Sequence, residues 1–122
     1  MTKRPPRVFD SSALVTLFRG NPRAYALFVD CERGLFDVCL PTAAVAEAEA
    51  ILGAGLRAWD AIVMTRGAEP LPLSFHAAVE VGPWQGRLGT RQVIHEAIAM
   101  SGAVVTTDPA IYPLDVDVIT VW

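Results

Sequence analysis

Short runs of apolar residues alternate with helix-forming segments along the chain, and this alternation constrains the fold more than any other feature. The runs are continuous, without the polar residue at every second position that marks a strand with one face in water. Because such runs are typical of parallel sheets covered on both faces, the pattern predicts a three-layer α/β/α sandwich around a mainly parallel five-stranded sheet. The predicted strands are Arg7–Asp10, Leu35–Leu40, Leu71–Leu73, Ala103–Thr107 and Val116–Trp122.

Capping signals place helices between these strands. Ser11 or Ser12 is expected to cap the first helix, and Thr42 and Thr90 cap two later ones. Glycines follow where several of the helices can end. The predicted helices are Ala13–Phe18, Pro22–Arg33, Thr42–Gly53, Leu56–Arg66, Phe75–Val81 and the segment from Thr90 to Ser101, with a Gly-rich loop at Gly82–Gly89.

Length and composition favour one domain over residues 1–122, with residues 1–6 as a flexible tail. The chain has 52% hydrophobic and 19% charged residues and a mean hydropathy of +0.38, which is too apolar for a disordered protein. Acidic residues nevertheless interrupt the apolar runs before they reach the ~18 residues that a membrane span needs. The basic start lacks an uninterrupted signal-peptide core, so we expect a cytoplasmic protein without a membrane segment.

Charge and reactive side chains disfavour several classes of function. Two cysteines, Cys31 and Cys39, do not make a disulfide framework and fit a reducing compartment. The net charge of −3 argues against a protein coated in basic charge for duplex DNA, although it leaves room for a local basic groove. The chain has a single lysine, Lys3, and no GK[ST] motif, which argues against a P-loop and against phosphotransferases that use a core lysine.

Acidic side chains follow two of the predicted strands. Asp10 ends the first strand, and Asp108 comes directly after the fourth. If these strands are neighbours, about 4.8 Å apart, the two carboxylates face each other, and a hard cation such as Mg²⁺ or Mn²⁺ would offset their repulsion. Alternatively, each aspartate caps the segment that follows it, and the Asp108-Pro109 pair does favour a turn.

A third acid is expected from the helix after Pro41. Glu47 and Glu49 flank the apolar stripe of this helix on opposite sides, so helical phase does not choose between them. Its position nearer the helix start favours Glu47 as the residue that faces the two aspartates. Alternatively, both glutamates are solvated edges of the helix.

Three segments together resemble the PIN domain, a family of metal-dependent ribonucleases that includes the VapC-type toxins. They are VFDSSALVTLF, PTAAVAEAEAIL and GAVVTTDPAIY, and the order and spacing of the elements match over nearly the whole chain. The resemblance implies a sheet of strand order 3-2-1-4-5, which makes the strands of Asp10 and Asp108 neighbours. It also assigns Asp10, Glu47 and Asp108 to the family's metal-binding and catalytic acids, with Ser12 and Thr106 at its auxiliary hydroxyl positions.

The chain departs from the family where another aspartate usually stands, at the start of the helix before the last of these segments. The matching stretch holds Thr90, Arg91 and Gln92. His95, one turn later, is a candidate nitrogen ligand that would suit Mn²⁺ better than Mg²⁺. Alternatively, His95 is an ordinary histidine on a helix flank, and Glu96 beside it is expected to face solvent.

Three further residues are weaker candidates for contacts with RNA at the border of the expected site. Trp84, Arg87 and Arg91 lie in or just after the Gly-rich loop, where arginines could bind phosphates and the indole could stack on a base. Alternatively, Trp84 packs under the loop and the arginines are ordinary surface residues. The apolar helices that carry Ala24–Cys31 and Trp59–Val63 suggest a homodimer face or simply core packing.

These features lead to two hypotheses of different classes. The resemblance implies an endoribonuclease that cleaves single-stranded RNA with Mg²⁺ or Mn²⁺, as the toxin of a type II toxin–antitoxin pair whose partner is a small antitoxin protein. The missing acid keeps open a second hypothesis, a degenerate PIN-like domain that binds RNA or a protein without cleaving.

Overall fold

An all-parallel sheet of five strands forms the centre of the computed structural model, which describes residues 3–122. α-Helices fill the first three connections between successive strands and a 3₁₀ turn lies in the fourth, so the predicted α/β/α class is confirmed. The strands are β1 (Arg7–Phe9), β2 (Val38–Pro41), β3 (Ala68–Leu71), β4 (Ala103–Thr106) and β5 (Val118–Thr120). The helices are α1 (Ser11–Phe18), α2 (Pro22–Glu32), α3 (Thr42–Leu52), α4 (Leu56–Val63), α5 (Phe75–Val81) and α6 (Leu88–Ala99), with a 3₁₀ turn at Pro109–Ile111.

The strand order is β3-β2-β1-β4-β5, as the resemblance implied. Val8 on the central strand pairs with Cys39 of β2 and with Val104 of β4, and both pairings are parallel. Parallel neighbours end at the same edge of a sheet, so the residues after β1 and β4 emerge side by side. Ligand sites of open α/β sheets lie beyond this carboxyl edge.

Apolar residues of the central strands form the core. Val8, Phe9 and Val104 have no exposed surface, and the Phe9 ring packs edge-on against Phe28 of α2 at 5.3 Å between centroids. Helix α3 packs against both α1 and α6 beside this sheet. Cys39 is buried and free, and burial raises the pKa of its thiol to about 12, so the side chain is a protonated core residue.

Strand boundaries differ from the predictions mainly at β2 and β3. β2 begins at Val38 rather than Leu35, and β3 covers Ala68–Leu71 instead of Leu71–Leu73. β3 lies at the edge of the sheet, where Glu69 and Pro70 are exposed. An edge strand tolerates a proline and a charge, so it lacks the apolar signature of the buried strands.

Helix starts also differ, because side chains other than the predicted ones occupy the cap positions. Asp10, not Ser11 or Ser12, is the cap residue of α1. Helix α6 begins at Leu88 with Arg87 in the cap position, two residues before the predicted cap Thr90. These shifts of one to three residues leave the order of elements unchanged.

Residues 3–6 of the predicted tail are attached to the sheet. Lys3 makes an ion pair with Asp37 at 2.9 Å, the Arg4 amide donates to the Leu35 carbonyl, and the Pro6 carbonyl accepts from the Ala103 amide. Residues 1 and 2 lie outside the described part of the chain. Among the described residues, no helix is both long enough and apolar enough to cross a lipid bilayer.

Candidate active site

The two strand-end aspartates line one cleft at the carboxyl edge of the sheet. Asp10 follows β1 directly, and its amide donates to the Val105 carbonyl of the neighbouring β4. Asp108 follows β4 after one intervening residue, and its side chain is exposed. The cleft has a volume of about 600 Å³. We call it the acidic cleft, and its lining consists of Asp10, Ser11, Ser12, Gln85, Gly86, Arg87, Thr90, Ile94, Asp108 and Ile111.

Both oxygens of the Asp10 carboxylate accept hydrogen bonds. Its Oδ1 accepts hydrogen bonds from the Ala13 amide at 2.9 Å and from the Ser12 hydroxyl at 2.7 Å. Its Oδ2 accepts a bond of 2.7 Å from the Tyr112 hydroxyl. The helix-capping alternative for Asp10 is therefore confirmed, and the same residue also lines the acidic cleft. One lone pair of Oδ2 is left for a ligand.

Hydroxyl groups connect the ends of β1 and β4. Ser12 Oγ accepts from the Thr107 amide at 2.9 Å and lies 3.3 Å from Thr106 Oγ1. Thr106 Oγ1 in turn accepts from the Asp108 amide at 3.0 Å. Both hydroxyl residues chosen from the sequence thus act within this network, and they fix the backbone of Asp108 relative to the carboxylate of Asp10.

Tyr112 is the functional candidate that the sequence prediction missed. Its ring is 7% exposed, and its hydroxyl donates to a carboxylate 102 positions earlier in the chain. Burial, reinforced by the negative charge of Asp10, raises the pKa of the phenol, which therefore stays a hydrogen-bond donor at physiological pH. An aromatic residue four positions after Asp108 was visible in the sequence, but nothing there indicated where its hydroxyl would point.

Glu47 lies next to the start of α6 and is not among the residues that line the acidic cleft. Its Oε2 accepts from the Gly89 amide at 3.2 Å, and its Oε1 is buried without a hydrogen-bond partner. A Cβ on Gly89 would collide with this carboxylate, so glycine is what allows the close approach. Within residues 3–122, no group of three His, Cys, Asp or Glu side chains is arranged to hold a metal ion.

Glu49, the other glutamate of α3, has a structural task. It accepts from the amides of Ala54 and Gly55 and from Trp59 Nε1 at 2.8–3.0 Å. The Trp59 bond is the main cause that lowers the pKa of Glu49, with the two amides contributing further. Glu49 thus fixes the turn between α3 and α4, which leaves Glu47 as the only glutamate of this helix with a free carboxylate oxygen.

His95 bonds to another helix rather than to the cleft. Its Nε2 lies 2.7 Å from Glu80 on α5, and its ring is 6.2 Å from the Trp84 ring. The bond to His95 is the main cause that lowers the pKa of Glu80, which also contacts His76 at 3.0 Å. His95, Trp84 and Glu80 line a separate pocket of about 330 Å³, so neither the histidine nor the indole is among the lining of the acidic cleft.

Thr90, Arg91 and Gln92 stand where the PIN family usually has another aspartate, and their side chains lie in three different environments. Thr90 faces the acidic cleft. Arg91 turns back and donates to the carbonyls of Val81 and Gly82 at 3.2–3.3 Å. Gln92 is fully buried between elements. Arg91 is therefore engaged by the preceding loop, and a threonine is what this stretch presents to the cleft.

Arg87 is the cationic side chain of the acidic cleft. It is exposed and makes no ion pair with any residue that the structure describes. Its guanidinium can therefore bind an anion that enters the cleft beside Asp10 and Asp108. Of the three RNA-contact candidates, Arg87 alone lies in the same cleft as the aspartates.

Comparison with known proteins adds no assignment. No protein-family model matches the chain, and a search of curated proteins finds no significant match. The functional argument consequently rests on the residues and geometry of the cleft.

Asp10 and Asp108 are the two carboxylates of the cleft that could hold a divalent cation. Asp10 Oδ2 retains one lone pair, and the Asp108 side chain is exposed with no hydrogen bond to any described residue. Both are hard oxygen donors of the kind that Mg²⁺ and Mn²⁺ prefer. The buried, unpartnered Oε1 of Glu47 is a third acceptor near the start of α6, where Glu47 bonds to Gly89, the residue before Thr90 of the cleft wall.

Proposed function

We propose that this protein is a divalent-metal-dependent endoribonuclease of the PIN-domain type, which cleaves single-stranded RNA in the cytoplasm as the toxin of a toxin–antitoxin pair. The observation that carries the proposal is the meeting of Asp10 and Asp108 in one cleft at the carboxyl edge of the sheet. Arg87, which lines the same cleft, supports the proposal, because its guanidinium can bind a phosphodiester that two carboxylates and a metal ion would cleave.

The side chains of the cleft would have three different roles in this reaction. Asp10 and Asp108 would hold the cation, and a bound Mg²⁺ or Mn²⁺ lowers the pKa of a coordinated water and neutralises charge on the phosphate. Ser12 and Tyr112 orient the Asp10 carboxylate through their hydrogen bonds. Arg87 binds a non-bridging phosphate oxygen and so places the scissile bond over the two acids.

A non-catalytic PIN-like domain is the second candidate, and a specific observation favours it. The described residues contain no three-ligand group, and Glu47 bonds to Gly89 instead of lining the acidic cleft. A cation held by two carboxylates is bound more weakly than one held by three. In this case the cleft would bind RNA or a protein without cleaving it.

A small antitoxin protein and a second copy of the chain are the partners that the proposal implies. The apolar face of α2, with Ala24, Phe28 and Cys31, is buried in the core and is not available to a partner. The apolar residues Leu56 and Met64, at the two ends of α4, are 77% and 83% exposed and lie on the surface. Together with Tyr25 of α2, which is 63% exposed, they are apolar side chains of these helices that a partner could reach.

Asp108→Asn tests the proposed activity. The Asp108 side chain is exposed and makes no hydrogen bond with the described residues, so the substitution removes one charge without disturbing the fold. We expect cleavage of single-stranded RNA in Mn²⁺ to fall on the order of 100-fold, as for other groups that stabilise developing charge. Asp10→Asn is a poorer test, because Asp10 accepts three hydrogen bonds and caps α1.

Asp115→Asn is the matched control for this experiment. Asp115 is an exposed aspartate before β5, at the amino edge of the sheet, so it carries the same charge change away from the cleft. Equal cleavage by Asp108→Asn and Asp115→Asn, or cleavage that persists in EDTA, would show that the activity does not belong to this cleft. An absence of cleavage by the wild type in both metals would favour the non-catalytic domain.

A further inference from the structure

A second groove adjoins the acidic cleft and shares part of its wall. Ser11, Ser12 and Arg87 line both depressions, and the second has a volume of about 370 Å³. A flexible chain molecule that occupies the acidic cleft can therefore continue into the second groove over these shared residues. We call this second depression the arginine groove.

Helix α1 sets the direction of the arginine groove. Ser12, Thr16 and Arg19 all line it, and their spacing of four and three residues places them on one face of the helix. At about 1.5 Å per residue, the seven steps from Ser12 to Arg19 cover roughly 10 Å along the helix axis. The groove thus leads from the Asp10 end of α1 to its carboxyl end.

Two unpaired arginines give the groove its charge. Arg19 and Arg87 are exposed, and neither makes an ion pair with the residues that the structure describes. Two other arginines stack on aromatic rings instead: Arg7 lies over the Phe36 ring and Arg23 over the Trp122 ring. In a chain of net charge −3, two free guanidinium groups in one groove are a local concentration of positive charge.

The remaining lining adds hydrogen-bond donors and an apolar surface. Thr16 and Thr107 supply hydroxyl groups, and Ile51 at the end of α3 is 57% exposed. Guanidinium and hydroxyl groups bind phosphate oxygens, whereas an exposed isoleucine suits the face of a base or ribose. An acidic peptide would use the arginines but offers no regular apolar group for Ile51.

We propose that the arginine groove binds the phosphodiester and base of single-stranded RNA that adjoin the nucleotide in the acidic cleft. Arg19 and Arg87 hold the phosphate, and Ile51 packs against the base. The direction of the strand rests on the proposed function, because the acidic cleft marks where the scissile phosphate lies. Binding itself does not require a metal.

The test is the affinity of the metal-free protein for RNA. A short fluorescent oligouridylate is titrated with the full chain in EDTA, and the dissociation constant is measured by anisotropy at several salt concentrations. We expect Arg19→Ala to weaken binding by about tenfold or more, because one charge-assisted hydrogen bond is lost. The slope of log affinity against log salt should fall by about 0.7, the value for one phosphate contact on a single strand.

Arg33→Ala is the matched control. Arg33 is an exposed arginine at the end of α2, on the side where β2 begins, so it removes the same charge from the opposite edge of the sheet. Equal affinity and equal salt slope for Arg19→Ala and Arg33→Ala overturn the proposal. Binding of a polyglutamate peptide in place of the oligouridylate overturns it as well, because the groove would then be a peptide site.

The outcome separates this proposal from the nuclease. Binding that depends on Arg19 in EDTA, without cleavage in Mn²⁺, supports the arginine groove and rejects the proposed activity. Cleavage by the wild type with no effect of Arg19→Ala on binding rejects the groove and leaves the activity standing.

Discussion

A single carboxylate at the end of β1 serves both the fold and the cleft. Asp10 uses Oδ1 to cap α1 and to hold Ser12, and it uses Oδ2 to accept from Tyr112. The side chain is only 3% exposed, so these bonds replace the water that a carboxylate normally keeps. A cation that binds Asp10 must therefore share Oδ2 with the phenol.

Tyr112→Phe is expected to tighten metal binding. The phenol bonds more strongly to a free carboxylate than to one whose charge is drawn towards a cation, so by linkage this bond favours the metal-free state. Asp10 stays oriented by Ser12 and the Ala13 amide after the phenol is removed. We predict an increase of about fivefold in Mn²⁺ affinity, measured by calorimetry, with the exposed Tyr25→Phe unchanged. A weaker or equal affinity would mean that Tyr112 only orients the carboxylate or fills space.

At the scale of elements, one buried side chain ties α6 to two others. Gln92 Oε1 accepts from the Ala43 amide in the first turn of α3, and its Nε2 donates to the Leu71 carbonyl at the end of β3. Helix α3 has no side-chain cap of its own, because Pro41 stands in the cap position. Gln92 on α6 thus provides the hydrogen-bond acceptor for the first turn of α3 that a capping side chain on α3 itself would normally provide.

Gln92→Leu should lower the free energy of unfolding by about 2–4 kcal/mol. Leucine keeps the volume but leaves the Ala43 amide and the Leu71 carbonyl without partners, and each partly buried group costs about 1–2 kcal/mol. Urea unfolding gives the measurement, and the exposed Gln85→Leu in the preceding loop is the control. An equal unfolding free energy for the two variants would show that water replaces the glutamine at both groups.

Helices and strands could be predicted from the sequence where the signal is local. The apolar runs of β1 and β4 and the Asn21-Pro22 start of α2 are properties of a few neighbouring residues, and the structure has them where expected. The cap that Asp10 makes to the Ala13 amide is also local and was one of the two alternatives for Asp10, whereas distant bonds such as those of Gln92 depend on the tertiary fold. The predicted position of the edge strand β3 was wrong because its central residues are exposed, so the strand lacks a run of apolar residues.

For the whole molecule, the strand order determines how much of the site could be predicted. Asp10 and Asp108 meet because β1 and β4 are parallel neighbours, which follows once the order 3-2-1-4-5 is assumed. Glu47 and His95 lie on helices, and the sequence does not indicate which residues of a neighbouring helix their side chains contact. Their contacts with Gly89 and Glu80 became visible only in the structure.

The proposed function depends on one property of the whole molecule, which is that the acidic cleft holds a divalent cation. Calorimetric titration of the metal-free protein with Mn²⁺ tests this property without RNA. We predict saturable binding that Asp108→Asn weakens by at least about tenfold. We predict that His95→Ala leaves the affinity unchanged, because His95 bonds to Glu80 in a separate pocket. No saturable binding by the wild type, or an affinity lost in His95→Ala and kept in Asp108→Asn, would contradict the account.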